Sequence, residues 1–318
     1  MTISDYLKTD GRRFIQYNMW KNCNNGCDFC FNRGYKKSTV EEQLGILEFT
    51  KNRLLDEESR EYNEIGFIGG EFFDNQIDDE RVRNGFYELF DICKNKRERG
   101  ELDKICVATS LIFDTERHLK PFIRYLKDIG ILDMTLFCTS YDTKYRFHTE
   151  EQLRTWEYNM KDIRKMLDNR IHTEIIVSQF FIDDVESGKF SIPRFQEEFD
   201  TSIDYIEPTF IDYFNSREDS IRELPDFFPR RKSFIDFVRK HCLELGEIDI
   251  SRFLSIKLRS DTSYYQLASG EWIKIDDRWR KGIRRIDKNG DTKTIFSYSD
   301  SDRCMTEDVL ILANGAEI

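Results

Sequence analysis

Three of the chain's eight cysteines lie within one short segment, Cys23-Asn24-Asn25-Gly26-Cys27-Asp28-Phe29-Cys30. In a reducing compartment, such a tight group of thiols indicates a metal site rather than a disulfide framework. A structural zinc site uses four protein ligands, and this segment has no fourth cysteine and no nearby histidine, the closest being His118. Three thiolates suit a catalytic metal that keeps one position open. Their softness favours zinc or an iron–sulfur cluster.

A second candidate segment is Ile65-Gly66-Phe67-Ile68-Gly69-Gly70-Glu71-Phe72, in which an apolar strand runs into Gly-Gly-Glu. Glycine lets a backbone approach a ligand closely, where a β-carbon would intrude. A glutamate at this position can accept hydrogen bonds from an ammonium group. The segment therefore predicts a ligand site, although an ordinary strand-to-loop turn with a surface glutamate would have the same pattern.

The cysteine spacing, with Phe29 before the third cysteine, closely resembles the cluster-binding loop of the radical S-adenosylmethionine (radical SAM) enzymes. The second segment resembles the Gly-Gly-Glu-Pro motif of that family, with Phe72 where the family commonly has proline. The resemblance implies that Cys23, Cys27 and Cys30 hold three irons of a 4Fe–4S cluster. The fourth iron then remains open to the amino and carboxylate groups of SAM.

The same resemblance implies a reaction. An electron from a one-electron reductant such as flavodoxin or ferredoxin passes through the cluster into SAM. Cleavage of SAM then gives methionine and a 5′-deoxyadenosyl radical, which abstracts hydrogen from an unactivated C–H bond of the substrate. The cofactor carries the difficult step, so the protein's work is to position the reactants and to exclude water and oxygen.

Further SAM-binding residues follow from the resemblance and from the ends of predicted strands. Glu71 and the backbone of Gly69 and Gly70 would hold the SAM amino group, and Phe29 would pack on the cluster or on adenine. The family often has a serine in a Ser-x-Asp context near the SAM ribose or carboxylate. The remaining candidates come from the third, fourth and fifth predicted strands and the loop after the fourth: Thr109, Ser110, Ser140, Asp142, Arg146, Val177 and Ser178.

Strand and helix patterns alternate along the first two thirds of the chain. The predicted strands are Phe14–Trp20, Glu64–Ile68, Leu102–Thr109, Ile131–Thr139, Arg170–Ser178 and Ile203–Phe210. Six such repeats predict a parallel sheet with right-handed crossovers. We therefore expect an α/β fold, a partial (β/α)6 TIM-type barrel, with ligands bound beyond the carboxyl ends of the strands. Both candidate motifs follow predicted strands.

The pattern changes after Phe210, which predicts two domains: a barrel over residues 1–210 and an α+β extension over 211–318. The extension has a predicted helix at Phe234–Leu245 and antiparallel strands with turns at Ser269-Gly270 and Asn289-Gly290. The segment from Cys304 onward resembles the start of the auxiliary-cluster (SPASM or twitch) region of some radical SAM enzymes. Because Cys304 is its one cysteine, we expect no complete auxiliary cluster.

Composition narrows the range of partners. Lys and Arg total 49 against 60 Asp and Glu, a net charge of −11, which disfavours extended contact with nucleic acid. The sequence has no apolar run of about 18 residues and no apolar signal segment at its amino terminus, so we expect a cytoplasmic protein without membrane contact.

Three interpretations of function remain open at this stage. The first is a radical SAM enzyme with a peptide or small-metabolite substrate. The second is a radical SAM enzyme that modifies a nucleobase in DNA or RNA, with Arg230-Arg231-Lys232 and Lys281–Arg285 as contact surface. The third, from a different class, is a non-catalytic protein in which the thiolates hold a structural metal clip.

Overall fold

The computed structural model describes residues 14–30, 36–56, 59, 62–74 and 78–206. It also describes positions 224, 226, 227, 230, 233, 237, 240 and 241, and the backbones of five short strands between 262 and 311. Several sequence predictions lie outside these residues: most of the helix at 234–245, both hairpin turns, Cys304, Arg231, Lys232 and Lys281. Within the described residues, none of the helices is both long and apolar enough to cross a membrane.

The barrel region alternates strands and helices. The strands are β1 Phe14–Asn18, β2 Glu64–Ile68, β3 Lys104–Ala108, β4 Thr135–Tyr141, β5 His172–Ile176 and β6 Ser202–Ile206. The helices are α1 Val40–Leu55, α2 Glu80–Glu98, α3 Leu119–Asp128, α4 Glu150–Arg164, α5 Gln179–Glu186 and α6 Ile192–Phe199. A short 3₁₀ turn, Leu132–Met134, precedes β4.

The six strands form one parallel sheet in the order β1-β2-β3-β4-β5-β6. Because each strand pairs with the next one along the chain, the chain advances across the sheet in one direction. Right-handed crossovers then place the helices on one face, which is the arrangement of a TIM-type barrel. The predicted α/β fold with this partial-barrel order is confirmed.

The main core lies between the sheet and its helices. On β2, Ile65 and Phe67 are 1% and 0% exposed and belong to this core. Phe67 packs against Phe86 and Phe90 of α2, with ring centroids 6.0 and 5.2 Å apart. Since side chains alternate between faces along a strand, Gly66 lies on the opposite, inner face of the sheet.

Local sequence signals explain where some elements begin. Thr39 precedes α1 and forms a capping box, in which its side chain accepts from the backbone of Glu42 and the Glu42 carboxylate accepts from the backbone of Thr39. Ser178 caps α5 with its hydroxyl, 3.0 Å from the backbone nitrogen of Phe181. The sequence predicted that β5 extends to Ser178. The strand ends at Ile176 instead, because Ser178 caps the next helix.

The described strands beyond residue 260 confirm the predicted antiparallel pairs. β7 Thr262–Gln266 pairs with β8 Trp272–Asp276, and β9 Ile283–Ile286 pairs with β10 Thr292–Phe296. A further strand, β11 Val309–Ile311, joins the barrel sheet parallel to β1, which the sequence did not predict. The division into domains at residue 210 stays a prediction.

Candidate functional site

The three clustered cysteines lie on the loop that follows β1. Cys27 is 7% exposed, and Cys23 and Cys30 are half-buried. The loop is fastened to the segment after β4, because the backbone nitrogen of Asp28 donates to the carbonyl of Tyr145 at 2.9 Å. Nε2 of His148 lies 3.0 Å from the carbonyl oxygen of Gly26 and forms a second link.

Nitrogen donors point at two of the three sulfur atoms. The backbone nitrogen of Asn25 lies 3.5 Å from Sγ of Cys23, and its side-chain Nδ2 lies 2.8 Å from Sγ of Cys27. Nη1 of Arg146 lies 3.7 Å from the same Cys27 sulfur. Hydrogen bonds to sulfur are among the features that set the reduction potential of iron–sulfur clusters.

Burial governs the protonation of these thiols. It raises the pKa of Cys23 to about 12, and the charges of Glu71, Cys27 and Cys30 act in the same direction. Burial also raises the pKa of Cys27, while the Arg146 cation lowers it. Thiols must lose their protons to ligate a metal, so metal binding at this loop would release protons.

Three thiols make up the donor set of the cysteine loop. Within the described residues, no group of three or more His, Cys, Asp or Glu side chains is arranged to hold one metal ion. Cys27 and Cys30 both lie close enough to Cys23 to raise the pKa of its thiol. Three soft donors on one short loop, with N–H groups directed at their sulfurs, suit a group in which each thiolate binds a different iron.

Gly69 and Gly70 lie where the chain entering the cysteine loop passes the end of β2. The backbone nitrogen of Gly70 donates to Trp20 and that of Glu71 to Asn22, at 2.5 and 2.7 Å. A β-carbon on Gly70 would overlap the carbonyl of Asn22, and Gly69 has a φ of +131°. The sequence predicted that the backbone at these glycines approaches a ligand closely. In the structure, the group that lies close to Gly70 is the backbone of Asn22.

Glu71 is turned into the protein, with 1% of its surface exposed. Its carboxylate accepts from the hydroxyl of Thr109 at 3.1 Å, from the backbone of Phe73 at 3.1 Å and from the backbone of Ser110. Burial raises the pKa of Glu71 to about 7, while the hydrogen bonds from Ser110 and Phe73 lower it. Through these contacts the carboxylate forms a bracket between the ends of β2 and β3. Its predicted role as an acceptor for a ligand amino group stays a prediction.

Arg146 connects the cysteine loop to β3 and β4 and is 3% exposed. Nη1 donates to the hydroxyl of Ser140 at 2.7 Å. Nη2 donates to the carbonyl of Ser110 at 3.0 Å and to the hydroxyl of Thr139 at 3.3 Å. Because the N–H of Ser110 binds Glu71, a continuous series of contacts runs from Cys27 to the Gly-Gly-Glu segment. The structure therefore brings four of the candidate residues together: Thr109, Ser110, Ser140 and Arg146.

The Ser-x-Asp segment through which the sequence resembles the radical SAM enzymes is Ser140-Tyr141-Asp142. Asp142, the acidic residue of the Ser-x-Asp context in that resemblance, is fully buried and organises the loop that carries Arg146. One of its oxygens accepts from the backbone of Lys144 at 2.8 Å and from that of Tyr145. Burial raises its pKa, and these hydrogen bonds lower it.

The two candidates on the fifth strand are placed differently from the prediction. Val177 and Ser178 lie beyond the end of β5, and both are 0% exposed. Ser178 uses its hydroxyl to cap α5. The residue of this segment that packs against Cys27 and Phe29 is Ile176.

Sequence reasoning missed other residues of the site. Asn18 ends β1 beside Gly69, and its Oδ1 is buried without a hydrogen-bond partner among the described residues. Nε of Arg146 is likewise buried and unpartnered within that part of the chain. The position of Asn18 at a strand end was a usable signal. Tyr145 and Phe227, which pack on the cysteine loop, had no comparable signal.

Comparisons with known proteins give distant structural matches. No protein-family model and no curated protein matches the sequence. Streptococcus suis SuiB matches over 96% of this chain at 11% identity, with a TM-score of 0.43. A SuiB structure bound to S-adenosylmethionine matches over 95% of this chain and 68% of its own, with the same identity and TM-score.

Methylornithine synthase (PylB) matches over 64% of this chain and 55% of its own, at 15% identity and a TM-score of 0.38. The chain spans 60% of the first SuiB structure. At these identities and TM-scores, the matches transfer neither activity nor ligand to this chain.

Proposed function

We propose that the chain is a radical SAM enzyme that acts on a peptide or small-metabolite substrate. The observation that carries the proposal is the series of contacts from Cys27 through Arg146 and Ser110 to Glu71. It joins a three-thiol loop to the ends of β2, β3 and β4. In parallel α/β sheets and barrels, ligands bind at this edge.

When bound, a 4Fe–4S cluster with one open iron supplies an electron to SAM, whose cleavage gives methionine and a 5′-deoxyadenosyl radical. In this proposal Cys23, Cys27 and Cys30 hold the cluster. Asn25 and Arg146 direct N–H groups at the sulfurs, and burial of Cys27 excludes water from its side of the loop.

The methionine part of SAM carries an ammonium group and a carboxylate. Within the described residues, Oδ1 of Asn18 and Nε–H of Arg146 are buried without a hydrogen-bond partner. The Asn18 oxygen suits an ammonium donor, and the Arg146 N–H suits a carboxylate acceptor. A buried polar atom without a partner costs about 1–3 kcal/mol, which a ligand with the complementary group would recover. We therefore assign these two atoms to SAM in place of the Glu71 carboxylate, whose oxygens already accept from protein donors.

The substrate class is supported by charge. A net charge of −11 disfavours a nucleic-acid substrate, which leaves the peptide or small metabolite as the favoured class. SuiB, among the matched structures, has also been solved with a precursor peptide.

Anaerobic reconstitution with iron and sulfide tests the cofactor. We expect a brown protein with about four irons per chain that, with dithionite, converts SAM to methionine and 5′-deoxyadenosine. Cys27→Ala should lose the cluster and stay folded, while Cys106→Ser, outside the cysteine loop, should retain it. A colourless protein with one zinc would contradict the proposal and favour the structural clip.

Electrophoretic mobility at increasing salt tests the substrate class. We expect neither tRNA nor duplex DNA to bind at physiological salt. A specific, salt-sensitive shift with either nucleic acid would favour nucleobase modification instead.

A further inference from the structure

A segment from beyond the barrel covers the cysteine loop. Phe227 is 0% exposed and stacks on Phe29, with ring centroids 6.1 Å apart and an interplanar angle of 17°. Tyr145 meets Phe227 edge-on, with centroids 5.6 Å apart. These rings form a hydrophobic cluster separate from the main core. The cluster also contains Cys27 and Ile176, with Cys30 and Leu224 packed against it.

The backbone around Phe227 is fastened to α5. The carbonyl of Asp226 accepts from the backbone nitrogen of Phe180 at 3.2 Å, and the backbone nitrogen of Arg230 donates to Oε1 of Gln179 at 2.8 Å. Asp226 has a φ of +57°, an uncommon conformation for a non-glycine residue that persists when its surroundings fix it. The contacts on both sides of Phe227 therefore hold its ring against the loop.

The Cys27 side chain has both polar and aromatic neighbours. Donors from Asn25 and Arg146 approach Cys27 from within the protein, and the aromatic cluster packs against it as well. Removing a buried phenyl ring leaves a cavity that neighbouring side chains fill only in part. Small reagents and water would then gain access to the sulfur.

We propose that Phe227 is a positioning residue that closes the cysteine loop from solvent and completes the site on the barrel. If Phe227 protects a bound cluster, that role rests on the proposed function. Its protection of the Cys27 thiol does not depend on the proposed function. The predicted boundary at residue 210 then separates Phe227 from the loop that it covers.

Thiol alkylation of the reduced, metal-free chain tests the cover. We expect Phe227→Ala to raise the rate at which iodoacetamide modifies Cys27 at least tenfold, with the modified cysteine assigned by fragmentation mass spectrometry. Phe227→Leu should restore most of the protection. Phe237→Ala is the matched control, because Phe237 is 1% exposed and packs on Phe181, away from the loop. It should leave the Cys27 rate unchanged.

An unchanged Cys27 rate in Phe227→Ala, or equal increases in Phe227→Ala and Phe237→Ala, would overturn the proposal. If Phe227→Ala does not fold, Phe227→Val takes its place, and its Cys27 rate should exceed both the wild-type rate and the Phe227→Leu rate.

Bleaching in air tests the shield separately. In a reconstituted protein, Phe227→Ala should shorten the lifetime of the brown chromophore several-fold relative to Phe237→Ala. If no cluster assembles even in the wild type, the proposed function fails and the alkylation result still decides the cover. If the cluster assembles but Cys27 stays protected in Phe227→Ala, the cover fails and the proposed function stands.

Discussion

The guanidinium of Arg146 lies 3.7 Å from the sulfur of Cys27 and 2.7 Å from the hydroxyl of Ser140. It therefore connects a loop after β1 with the end of β4, on strands that are not neighbours in the sheet. Its second nitrogen binds the carbonyl of Ser110, whose N–H binds Glu71. One buried cation thus fixes the relative positions of the cysteine loop and three strand ends.

Replacing this cation should loosen the network. We expect Arg146→Met to lower the free energy of unfolding by about 1–3 kcal/mol, because the carbonyl of Ser110 loses a donor in a buried site. Urea unfolding of the metal-free chain measures the change. The control is Arg154→Met, whose side chain is 71% exposed and pairs with Glu150 on the same helix. It should change stability by less than about 0.5 kcal/mol. Equal effects would contradict a connecting role for Arg146.

The close passage of Asn22 past Gly70 gives a second prediction. A methyl group on Gly70 would overlap the carbonyl of Asn22, so we expect Gly70→Ala to cost about 1–3 kcal/mol through overpacking. Gly45→Ala, in α1, meets no atom within 4 Å and should stabilise the helix by about 0.5–1 kcal/mol. In thermal unfolding, we expect Gly70→Ala to melt at a lower temperature than wild type and Gly45→Ala to melt at a higher one. An unchanged melting temperature in Gly70→Ala would show that the chain at Asn22 can move away from Gly70 without loss of stability.

Local patterns predicted the elements best. β2 has the predicted bounds, Glu64–Ile68, because it is a short apolar pattern flanked by polar residues. The capping box at Thr39 is a signal contained within four residues. Helix α5 was missed because Ser178 starts it with no intervening loop after β5.

Contacts between distant parts of the chain were not predictable in the same way. β11 pairs with β1 across almost the whole sequence, and no local pattern specifies such a pairing. The same holds for Phe227, whose contact with Phe29 depends on how the chain returns after β6. Glu71 was correctly placed at a strand end. Its orientation was not predictable, because it depends on the Thr109 hydroxyl and the Ser110 backbone on the neighbouring strand.

Because Ser178 lies at the start of α5, a substitution there distinguishes a structural role of its hydroxyl from a ligand-binding role. Because Ser178 is an N-cap, Ser178→Ala should lower the free energy of unfolding by about 1 kcal/mol. It should leave iron content and SAM affinity unchanged. Ser191→Ala, which removes the corresponding cap of α6, should have a similar cost. Urea unfolding and isothermal titration with SAM measure the two quantities. If Ser178→Ala loses SAM affinity and Ser191→Ala does not, Ser178 binds the ligand as the sequence predicted.

The bracket formed by Glu71 can be tested with a substitution that keeps its shape. Both carboxylate oxygens accept hydrogen bonds, from the backbone of Phe73 on one side and from that of Ser110 on the other. In Glu71→Gln the amide nitrogen must face one of these N–H groups, which leaves a buried donor without an acceptor and should cost about 1–3 kcal/mol. Glu88→Gln, at a side chain that is 54% exposed and pairs with Lys51, should have little effect.

A double-mutant cycle then shows whether the effect runs through β3. The hydroxyl of Thr109 lies 3.1 Å from both carboxylate oxygens, so Thr109→Val and Glu71→Gln remove partners of one network. Residues in contact commonly show coupling energies of about 0.5–3 kcal/mol, and we expect a value in this range from urea unfolding of the four proteins. Additive effects would mean that Glu71 does not hold the ends of β2 and β3 together, and its carboxylate would again be available to a ligand.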